Sequence, residues 1–335
     1  MVRIALDAMG GDLAPKTEVD GAVQALRELP GDFVIQLVGQ GPAIEAELAR
    51  HPAADRSRIT IIDAPEVIGM ADKPLEAVRR KRKSSLVVGL DRQVRGDSDV
   101  LVSAGNTGAI LAASTVLFGL HEGVQRATVG TPLPTAQGPV FMLDAGANLD
   151  CSPRELVGFA YLGTVYMQDI IDRSHPTVGL LNVGEEDEKG TAVIRQTHQL
   201  LKKADGLNYI GNIEGRDILG GHAKLGRVDV IVCDGFVGNI VLKFYESVLD
   251  LVRHLAQDAG LWEKPETQLA FHPLDYSQYG GAPLLGVKGN SIICHGSSSS
   301  NAITNAIRVA IQCVTVKLSQ HIGVELAAHE ATGRL

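Results

Sequence analysis

Aromatic residues are scarce in this chain: they make up 4% of its 335 residues, whereas glycine occurs 37 times. Little aromatic surface is therefore available for stacking nucleic-acid bases. The formal net charge of -8 also argues against a nucleic-acid partner. No apolar run reaches the roughly 18 residues of a membrane-spanning helix, and the N-terminus lacks a signal-peptide pattern. With 45% hydrophobic residues, these absences favour a cytoplasmic protein with a sizeable core.

The cysteines form no recognisable metal or redox motif. Cys151, Cys233, Cys294 and Cys313 have no CxxC spacing, and the last three lie in apolar runs. This pattern predicts buried, reduced thiols. There is also no HExxH sequence and no paired Cys/His cluster, so we expect no bound metal and no cofactor.

Common nucleotide and nucleophile motifs are absent or incomplete. Gly39 and Gly41 follow a predicted strand, but Ile44 stands where the third glycine of GxGxxG belongs. The sequence contains no GxxxxGK[ST] phosphate loop and no GxSxG nucleophile elbow. A Ser–His–Asp arrangement stays open, because such residues need not be close in sequence.

Short β-rich runs alternate with helix-patterned segments along the chain. The predicted strands are residues 3–6, 33–38, 58–62, 100–102, 140–143, 178–181, 208–210, 228–232 and 291–294. The predicted helices are residues 15–29, 42–50, 75–95, 107–120, 153–171, 191–203, 239–259 and 301–318. This alternation predicts an α/β fold with a largely parallel sheet.

Several predicted strands end in a loop rich in glycine, serine or asparagine that leads into a helix. These segments are LVSAGNTGAI, FMLDAGANLDCSP, LLNVGEEDEKG, IVCDGFVGNI and IICHGSSSSNAI. In α/β sheets, ligands bind beyond the carboxyl ends of the strands, where loop amides and helix N-termini suit anions. The loops therefore predict an anion-binding enzyme.

Ordered motifs from about residue 3 to residue 311 resemble those of the bacterial PlsX family of phosphate acyltransferases. They include DAMGGDLAPK (7–16), AVRRKRKSS (77–85), SAGNTGA (103–109), TPLPT (131–135), LDAGAN (143–148), GLLNVGEEDEKG (179–190), IGNIEGRD (210–217), DGFVGNIVLK (234–243), YSQYGGAPLLG (276–286) and HGSSSSNAI (295–303). The resemblance implies a homodimer with a three-layer α/β/α fold similar to the phosphotransacetylase and isopropylmalate dehydrogenase folds. The implied reaction transfers a fatty acyl group from acyl-acyl-carrier protein to inorganic phosphate, giving acyl phosphate for phospholipid synthesis.

That reaction needs no protein nucleophile, since phosphate can attack the thioester directly while the protein supplies positioning and charge stabilisation. The family match makes Lys189, Asn182, Asn239 and His295 candidate catalytic residues. It makes Asn106, Thr107, Gly108, Arg216, Ser297 and Ser298 candidate phosphate-binding residues.

Each candidate has a structural alternative. Lys189 could pair with Glu185, Glu186 or Asp187, the asparagines and serines could cap helices, and His295 could anchor its loop. Four carboxylates also follow or end strands near the loops, and we expect them to accept bonds from loop amides or to orient a cation, with Mg²⁺ binding as the alternative. They are Asp7, Asp12, Asp144 and Asp234.

Five consecutive basic residues form a candidate docking site for acidic acyl-carrier protein: Arg79, Arg80, Lys81, Arg82 and Lys83. Charge attraction would mainly raise the association rate, and the alternative is a solvated helix surface. We expect residues 1–335 to form a single α/β catalytic unit, with residues 244–273 a helical excursion at the dimer tip or the membrane surface. Leu261 and Trp262 are the candidate membrane contacts, and a core or dimer-packing helix is the alternative.

Three other functions stay open on the sequence. A phosphotransacetylase-like enzyme would use acyl-coenzyme A in the same chemistry, and an NAD-dependent dehydrogenase follows from fold analogy alone. A non-catalytic scaffold for lipid synthesis at the membrane surface is the third. The family reading also implies peripheral membrane contact and a downstream glycerol-phosphate acyltransferase as a partner.

Overall fold

The computed structural model describes residues 1–271 and 278–331, and the chain divides into two compact units. Unit 1 comprises Met1–Glu122 and Tyr279–Val324, and unit 2 comprises Gly123–Gln278 and Glu325–Leu335. The strands are β1 (Val2–Asp7), β2 (Phe33–Gly39), β3 (Ile59–Asp63), β4 (Val100–Ser103), β5 (Thr128–Leu133), β6 (Val140–Leu143), β7 (Thr177–Leu181), β8 (Asn208–Ile213), β9 (His222–Ala223), β10 (Gly226–Arg227), β11 (Val230–Val232), β12 (Ala282–Leu285) and β13 (Ser291–Ile293).

The helices flank these strands in both units. They are α1 (Lys16–Glu28), α2 (Gly41–Leu48), α3 (Pro74–Arg80), α4 (Ser85–Val94), α5 (Thr107–Phe118), α6 (Pro153–Asp169), α7 (Ala192–Leu201), α8 (Gly215–Gly220), α9 (Gly235–Asp258), α10 (Pro265–Phe271), α11 (Ser300–Thr315) and α12 (Leu318–Ala331). A short 3-10 helix, Arg56–Arg58, precedes β3.

Unit 1 contains the strand order β3-β2-β1-β4-β13-β12, in which β12 is antiparallel to β13 and the other pairs are parallel. Unit 2 contains the order β5-β6-β11-β7-β8, in which β5 is antiparallel to β6 and the other pairs are parallel. Each unit is thus a mostly parallel sheet with flanking helices, which confirms the predicted α/β class.

The central strands are mostly apolar, as expected where helices cover both faces of a sheet. All four residues of β4 are buried, as are all three of β11. Helix α1 packs on α11 at Gly21, where a methyl group would lie 2.7 Å from the Cβ atom of Ile303. The core therefore sits on the two faces of each sheet.

One long predicted helix is wrong: residues 75–95 form two helices, α3 and α4. The side chain of Ser84 accepts a hydrogen bond from the Val87 amide and so starts α4. The Lys83 amide donates to the Glu66 carboxylate at 2.8 Å, which holds the turn between the two helices. Only Arg79 and Arg80 of the basic run are therefore helical.

Four strands were missed, two of them the two-residue strands β9 and β10, and helix α9 starts four residues earlier than predicted. Strands β5 and β12 contain Pro132 and Pro283, which lack an amide donor and weaken a strand signal. Helix α9 begins at Gly235, rather than at residue 239, because the Asp234 carboxylate caps its first turn. Residues 244–258 belong to α9 and residues 265–271 form α10, whereas residues 272 and 273 of the predicted excursion lie outside the described residues.

Across the described residues, no helix combines the length and the apolar character needed to cross a bilayer. The four cysteines form no disulfide bond among the described residues, with Cys233, Cys294 and Cys313 buried and Cys151 half-buried. Burial raises the pKa of the Cys294 and Cys151 thiols to about 12. The prediction of buried, reduced thiols is thus confirmed for three of the four.

Candidate active site

In unit 1, three neighbouring parallel strands bring their carboxyl ends to one edge of the sheet. Strands β1 and β13 both pair with β4, so that Ser103 lies opposite Asp7 on one side and opposite Ile293 on the other. The loops that follow are residues 8–12, 104–106 and 294–299. The Asp12 amide donates to the Gly296 carbonyl at 2.8 Å and joins the first loop to the third.

Asp7 ties the first of these loops to the second. The Ser103 hydroxyl donates to Asp7 Oδ2 at 2.7 Å and itself accepts from the Gly105 amide at 3.1 Å. The Met9 amide donates to Asp7 Oδ1. Burial raises the pKa of Asp7, and hydrogen bonds from Ser85 and Ser103 oppose that rise. The prediction that this carboxylate accepts bonds from loop amides is confirmed.

Asn106 is the N-cap of α5. Its Oδ1 atom accepts from the Ala109 amide at 3.0 Å, and its Nδ2 atom donates to the carbonyl oxygens of Gly69, Met70 and Asp72. The capping alternative therefore describes this side chain. The first-turn amides of the helix, including those of Thr107 and Gly108, are the groups that a helix N-terminus offers to an anion.

His295 is hydrogen-bonded within its own loop. Its Nδ1 atom lies 2.7 Å from the Ser297 hydroxyl and accepts from the Ser297 amide at 3.2 Å, while the His295 carbonyl accepts from the Ser298 amide. Ser299, and neither of the two predicted serines, caps α11 through the Ala302 amide. His295 thus anchors the loop through its Nδ1 atom and its backbone carbonyl.

Glu18 is a residue of this edge that the sequence reasoning missed. It lies on α1, is 1% exposed, and accepts from the Gly11 amide at 3.1 Å through Oε1. Its Oε2 atom is buried with no hydrogen-bond partner among the described residues. Burial is the largest cause that raises the pKa of Glu18 to about 7. The sequence did contain a signal for its burial, because Glu18 lies on the same apolar face of the helix as Ala22 and Ala25.

In unit 2, aspartates again organise the loops after the strands. The Asp144 carboxylate, which follows β6, is completely buried and accepts from the amides of Gly146, Ala147 and Asn148 at 2.8–3.0 Å. Burial raises the pKa of Asp144 and these hydrogen bonds oppose the rise. Asp234, after β11, caps α9. Both carboxylates hold loop amides, as predicted.

Asn182 and Lys189 stand at the two ends of the acidic loop after β7. Asn182 accepts from the Val183 amide at 2.8 Å and donates to the Lys189 carbonyl at 3.2 Å. Lys189 is exposed and makes no ion pair with a carboxylate of the described residues. The pairing alternative is therefore not observed among the described residues. Asp187 contacts Lys202 and His198 instead, and Glu185 lies near Arg216 and Lys224.

Asn239 and Arg216 have different surroundings in the same unit. Asn239 is exposed in the first turn of α9, where its side chain lies against Gly146. The Arg216 guanidinium pairs with Glu214 at 3.0 Å and lies 3.7 Å from Glu185. It therefore faces carboxylates, and it belongs to unit 2 whereas the other candidate phosphate-binding residues belong to unit 1.

Arg216 also lines a cavity of about 590 Å³ in unit 2. Buried His198 lines this cavity, and its Nδ1 atom lies 2.6 Å from the Tyr209 hydroxyl while its Nε2 atom lies 2.9 Å from Asp187. Hydrogen bonds from Lys202 and His198 lower the pKa of Asp187. The charges that line the cavity are therefore largely compensated within the protein.

The basic run is exposed except at its centre. Lys81 donates to Asp72 at 2.6 Å and to the Val67 carbonyl at 2.9 Å, so it is committed to the fold. Arg79, Arg80, Arg82 and Lys83 are exposed. Four cations on adjacent exposed positions leave a positively charged patch on an acidic protein.

Leu261 and Trp262 follow the end of α9. Leu261 is 43% exposed. The Trp262 ring lies under the Arg253 guanidinium, 5.0 Å from its centroid, and 5.7 Å from the Phe271 ring. The tryptophan is thus partly covered by its own helices, and the leucine is the more accessible of the two.

Comparison with known proteins places these features in context. A family model described as "Fatty acid synthesis protein" matches residues 2–321. A phosphate acyltransferase of Heliobacterium modesticaldum is 46% identical over 323 residues, covering 93% of this chain and 94% of that protein. One from Nostoc sp. is 43% identical over 333 residues, covering 96% and 95%.

Solved structures with a similar fold are more distant in sequence. A phosphotransacetylase of Streptococcus pyogenes has a TM-score of 0.62 at 17% identity and covers 94% of each chain. A 4-hydroxythreonine-4-phosphate dehydrogenase of Klebsiella pneumoniae has a TM-score of 0.52 at 12% identity, covering 94% of this chain and 99% of that one. These likenesses concern the fold alone, and they agree with the predicted fold class.

Proposed function

Because this chain belongs to the fatty acid synthesis protein family, we propose that it transfers a fatty acyl group from acyl-acyl-carrier protein to inorganic phosphate. The chain is an acyltransferase, and the resemblance to phosphate acyltransferases is confirmed. In the proposed step, an oxygen of HPO₄²⁻ attacks the thioester carbonyl carbon. The C–S bond breaks, the phosphate proton passes to the carrier thiolate, and acyl phosphate and free carrier thiol result.

The observation that carries the proposal is the sheet edge of unit 1. Three neighbouring parallel strands end there in glycine-, asparagine- and serine-rich loops, and two of the loops lead into the helices α5 and α11. Helix N-termini attract anions through free amides and the helix dipole. Phosphate would be bound by the Thr107 and Gly108 amides and by the hydroxyls of Ser297 and Ser298, with His295 holding the serine loop in place.

Lys189, which belongs to unit 2, is the proposed catalytic cation. Its ammonium group is exposed and is not neutralised by a described carboxylate, so its charge is available to an anionic group. Asn182 fixes the backbone of the lysine through the 3.2 Å contact to its carbonyl. Asn239 offers an amide donor from the first turn of α9. Arg216 is the weakest member of the proposed set, since Glu214 already neutralises it.

Carrier recognition is proposed for the exposed part of the basic run. Arg79, Arg80, Arg82 and Lys83 present four positive charges, whereas the chain as a whole has a formal net charge of -8. An acidic carrier would be steered to this patch, and the attraction would weaken with salt.

Helix α9 supports the proposed homodimer and membrane contact. One face packs on the unit 2 core through Tyr245, Val241 and Leu249. The opposite face exposes large apolar side chains at helical spacing: Phe236, Ile240, Phe244, Leu251 and Leu255. Such a stripe suits a second copy of the chain, and Leu261 beyond its end suits an interfacial membrane contact. Peripheral contact would deliver acyl phosphate in the cytoplasm to a downstream glycerol-phosphate acyltransferase.

The test is thioester consumption by purified protein with palmitoyl-acyl-carrier protein and inorganic phosphate. We expect free carrier thiol and hydroxylamine-reactive acyl phosphate in equal amounts, both dependent on phosphate. Turnover with acyl-coenzyme A but not with the carrier would instead identify a phosphotransacetylase-like enzyme. Carrier and vesicle binding without any turnover would identify a scaffold, and an acyl group trapped on a protein side chain would refute direct attack.

A further inference from the structure

Glu18 is a buried carboxyl group that packs directly on the glycine loop after β1. The side chain is 1% exposed, and Oε1 accepts from the Gly11 amide at 3.1 Å. A methyl group at Gly11 would lie 2.2 Å from Oε1, so no larger residue fits between loop and carboxyl. Oε2 is buried without a hydrogen-bond partner among the described residues. A bare carboxylate oxygen in such a place is costly, whereas a protonated one is far less so.

The titratable groups that act on Glu18 add to this cost. Asp7, at the end of β1, and Asp12, in the loop, both disfavour its charged form, after burial itself as the largest cause. The pKa of the Cys294 thiol, which follows β13, is raised mainly by burial and further by the charge of Glu18. No cation of the described residues forms an ion pair with Glu18. A proton on Oε2 would remove the charge and leave Oε1 free to accept from Gly11.

The loop that Glu18 supports is joined to the serine loop. The Asp12 amide, next to Gly11, donates to the Gly296 carbonyl at 2.8 Å. Gly296 lies between His295 and Ser297, two residues of the proposed phosphate site. A charge on Glu18 therefore places a buried carboxylate beneath the loop that is joined to the serine loop of the proposed phosphate site, and its charge opposes that of a phosphate dianion.

We propose that Glu18 is a positioning residue that takes up a proton when inorganic phosphate binds to the first turn of α5 and to the serine loop 294–299, to which the loop 8–12 above Glu18 is joined. The inference rests on the proposed function, because it takes this helix turn and the serine loop as the phosphate site. The proton comes from solvent and stays on Oε2, and none passes to the substrate. Binding of the anion and binding of the proton then favour each other.

The direct test is calorimetric titration of the full chain with inorganic phosphate at pH 8, in two buffers that differ in ionisation enthalpy. We expect the wild-type chain to take up about one proton more per bound phosphate than Glu18→Gln, because a carboxyl of pKa near 7 is mostly ionised at pH 8. The glutamine retains the acceptor for Gly11. Glu28→Gln, on the exposed end of the same helix, is the matched control and should behave as wild type.

The wild-type titration decides the matter even if Glu18→Gln folds poorly. No proton uptake beyond that of phosphate itself, or no phosphate binding, would overturn the proposal, as would equal uptake in Glu18→Gln. In turnover assays, the KM for phosphate should rise severalfold more between pH 7 and pH 8.5 in wild type than in Glu18→Gln, with kcat little changed. Absence of turnover would refute the proposed function, while the calorimetric difference would still report on Glu18.

Discussion

Helix α6 offers a matched pair of glycines for testing how the helix packs on the unit 2 sheet. A methyl group at Gly163 would lie 2.5 Å from Leu143 Cδ1 and 2.6 Å from Val230 Cγ1, both buried side chains of the sheet. A methyl group at Gly158 would meet nothing within 4 Å. Replacing either glycine with alanine gains about 1 kcal/mol of helix propensity, but at Gly163 overpacking costs about 1–3 kcal/mol.

The propensity gain is common to both variants, so Gly158→Ala should be more stable than Gly163→Ala by about 1–3 kcal/mol. At about 2–4 °C of Tm for each kcal/mol in a domain of about 150–250 residues, the two midpoints should differ by at least about 2 °C. Differential scanning calorimetry, with circular dichroism as a check of folding, measures this. A Gly163→Ala midpoint equal to or above that of Gly158→Ala would refute the close contact between α6 and the sheet.

Three further predictions concern activity and pH. Lys189→Ala should lower kcat about 10²–10³-fold if the lysine charge stabilises the oxyanion. Lys203→Ala, which changes an exposed lysine beyond α7, should leave kcat unchanged. Equal kcat values for the two variants would show that Lys189 has no part in the site. The double variant Arg79→Glu, Arg80→Glu should have a higher KM for the carrier, and that KM should depend less on salt than in wild type. The KM for phosphate should not change. Kinetics between about 50 and about 300 mM salt measure both values. Because the pKa of Glu18 is raised from 4.5 to about 7, the folded state holds this proton across that window. The stability of wild type relative to Glu18→Gln should therefore fall by about 3 kcal/mol as pH rises from 4.5 to 7, which urea unfolding measures, and a constant difference would contradict it.

The family could be predicted from sequence by its ordered motifs. The parallel α/β class could be predicted because apolar strands that alternate with helix patterns have few other solutions. The aspartates were also predictable: a carboxylate directly after a buried strand, as at Asp144 and Asp234, has loop amides within reach. The sequence also indicated which loops follow the strand ends.

Contacts between distant segments could not be predicted. The charged run around Lys81 resembled one helix, but Glu66 and Asp72 from a preceding loop hold it as a turn. Lys189 resembled a member of a local ion-pair cluster, but His198 of α7 and Lys202, directly after that helix, hold Asp187 instead. In each case the side chain is held by a partner from another segment of the chain and not by its neighbours in sequence.

By itself, the sequence determined the family, the fold class and the loops that follow each strand, because these depend on local pattern and order along the chain. The tertiary structure alone decided which polar groups are neutralised, capped or left bare. Burial and long-range hydrogen bonds set that state, as in Glu18, whose Oε2 has no partner among the described residues. The residues adjacent in sequence do not specify the dielectric environment of a side chain. That environment decides whether the side chain titrates near neutral pH.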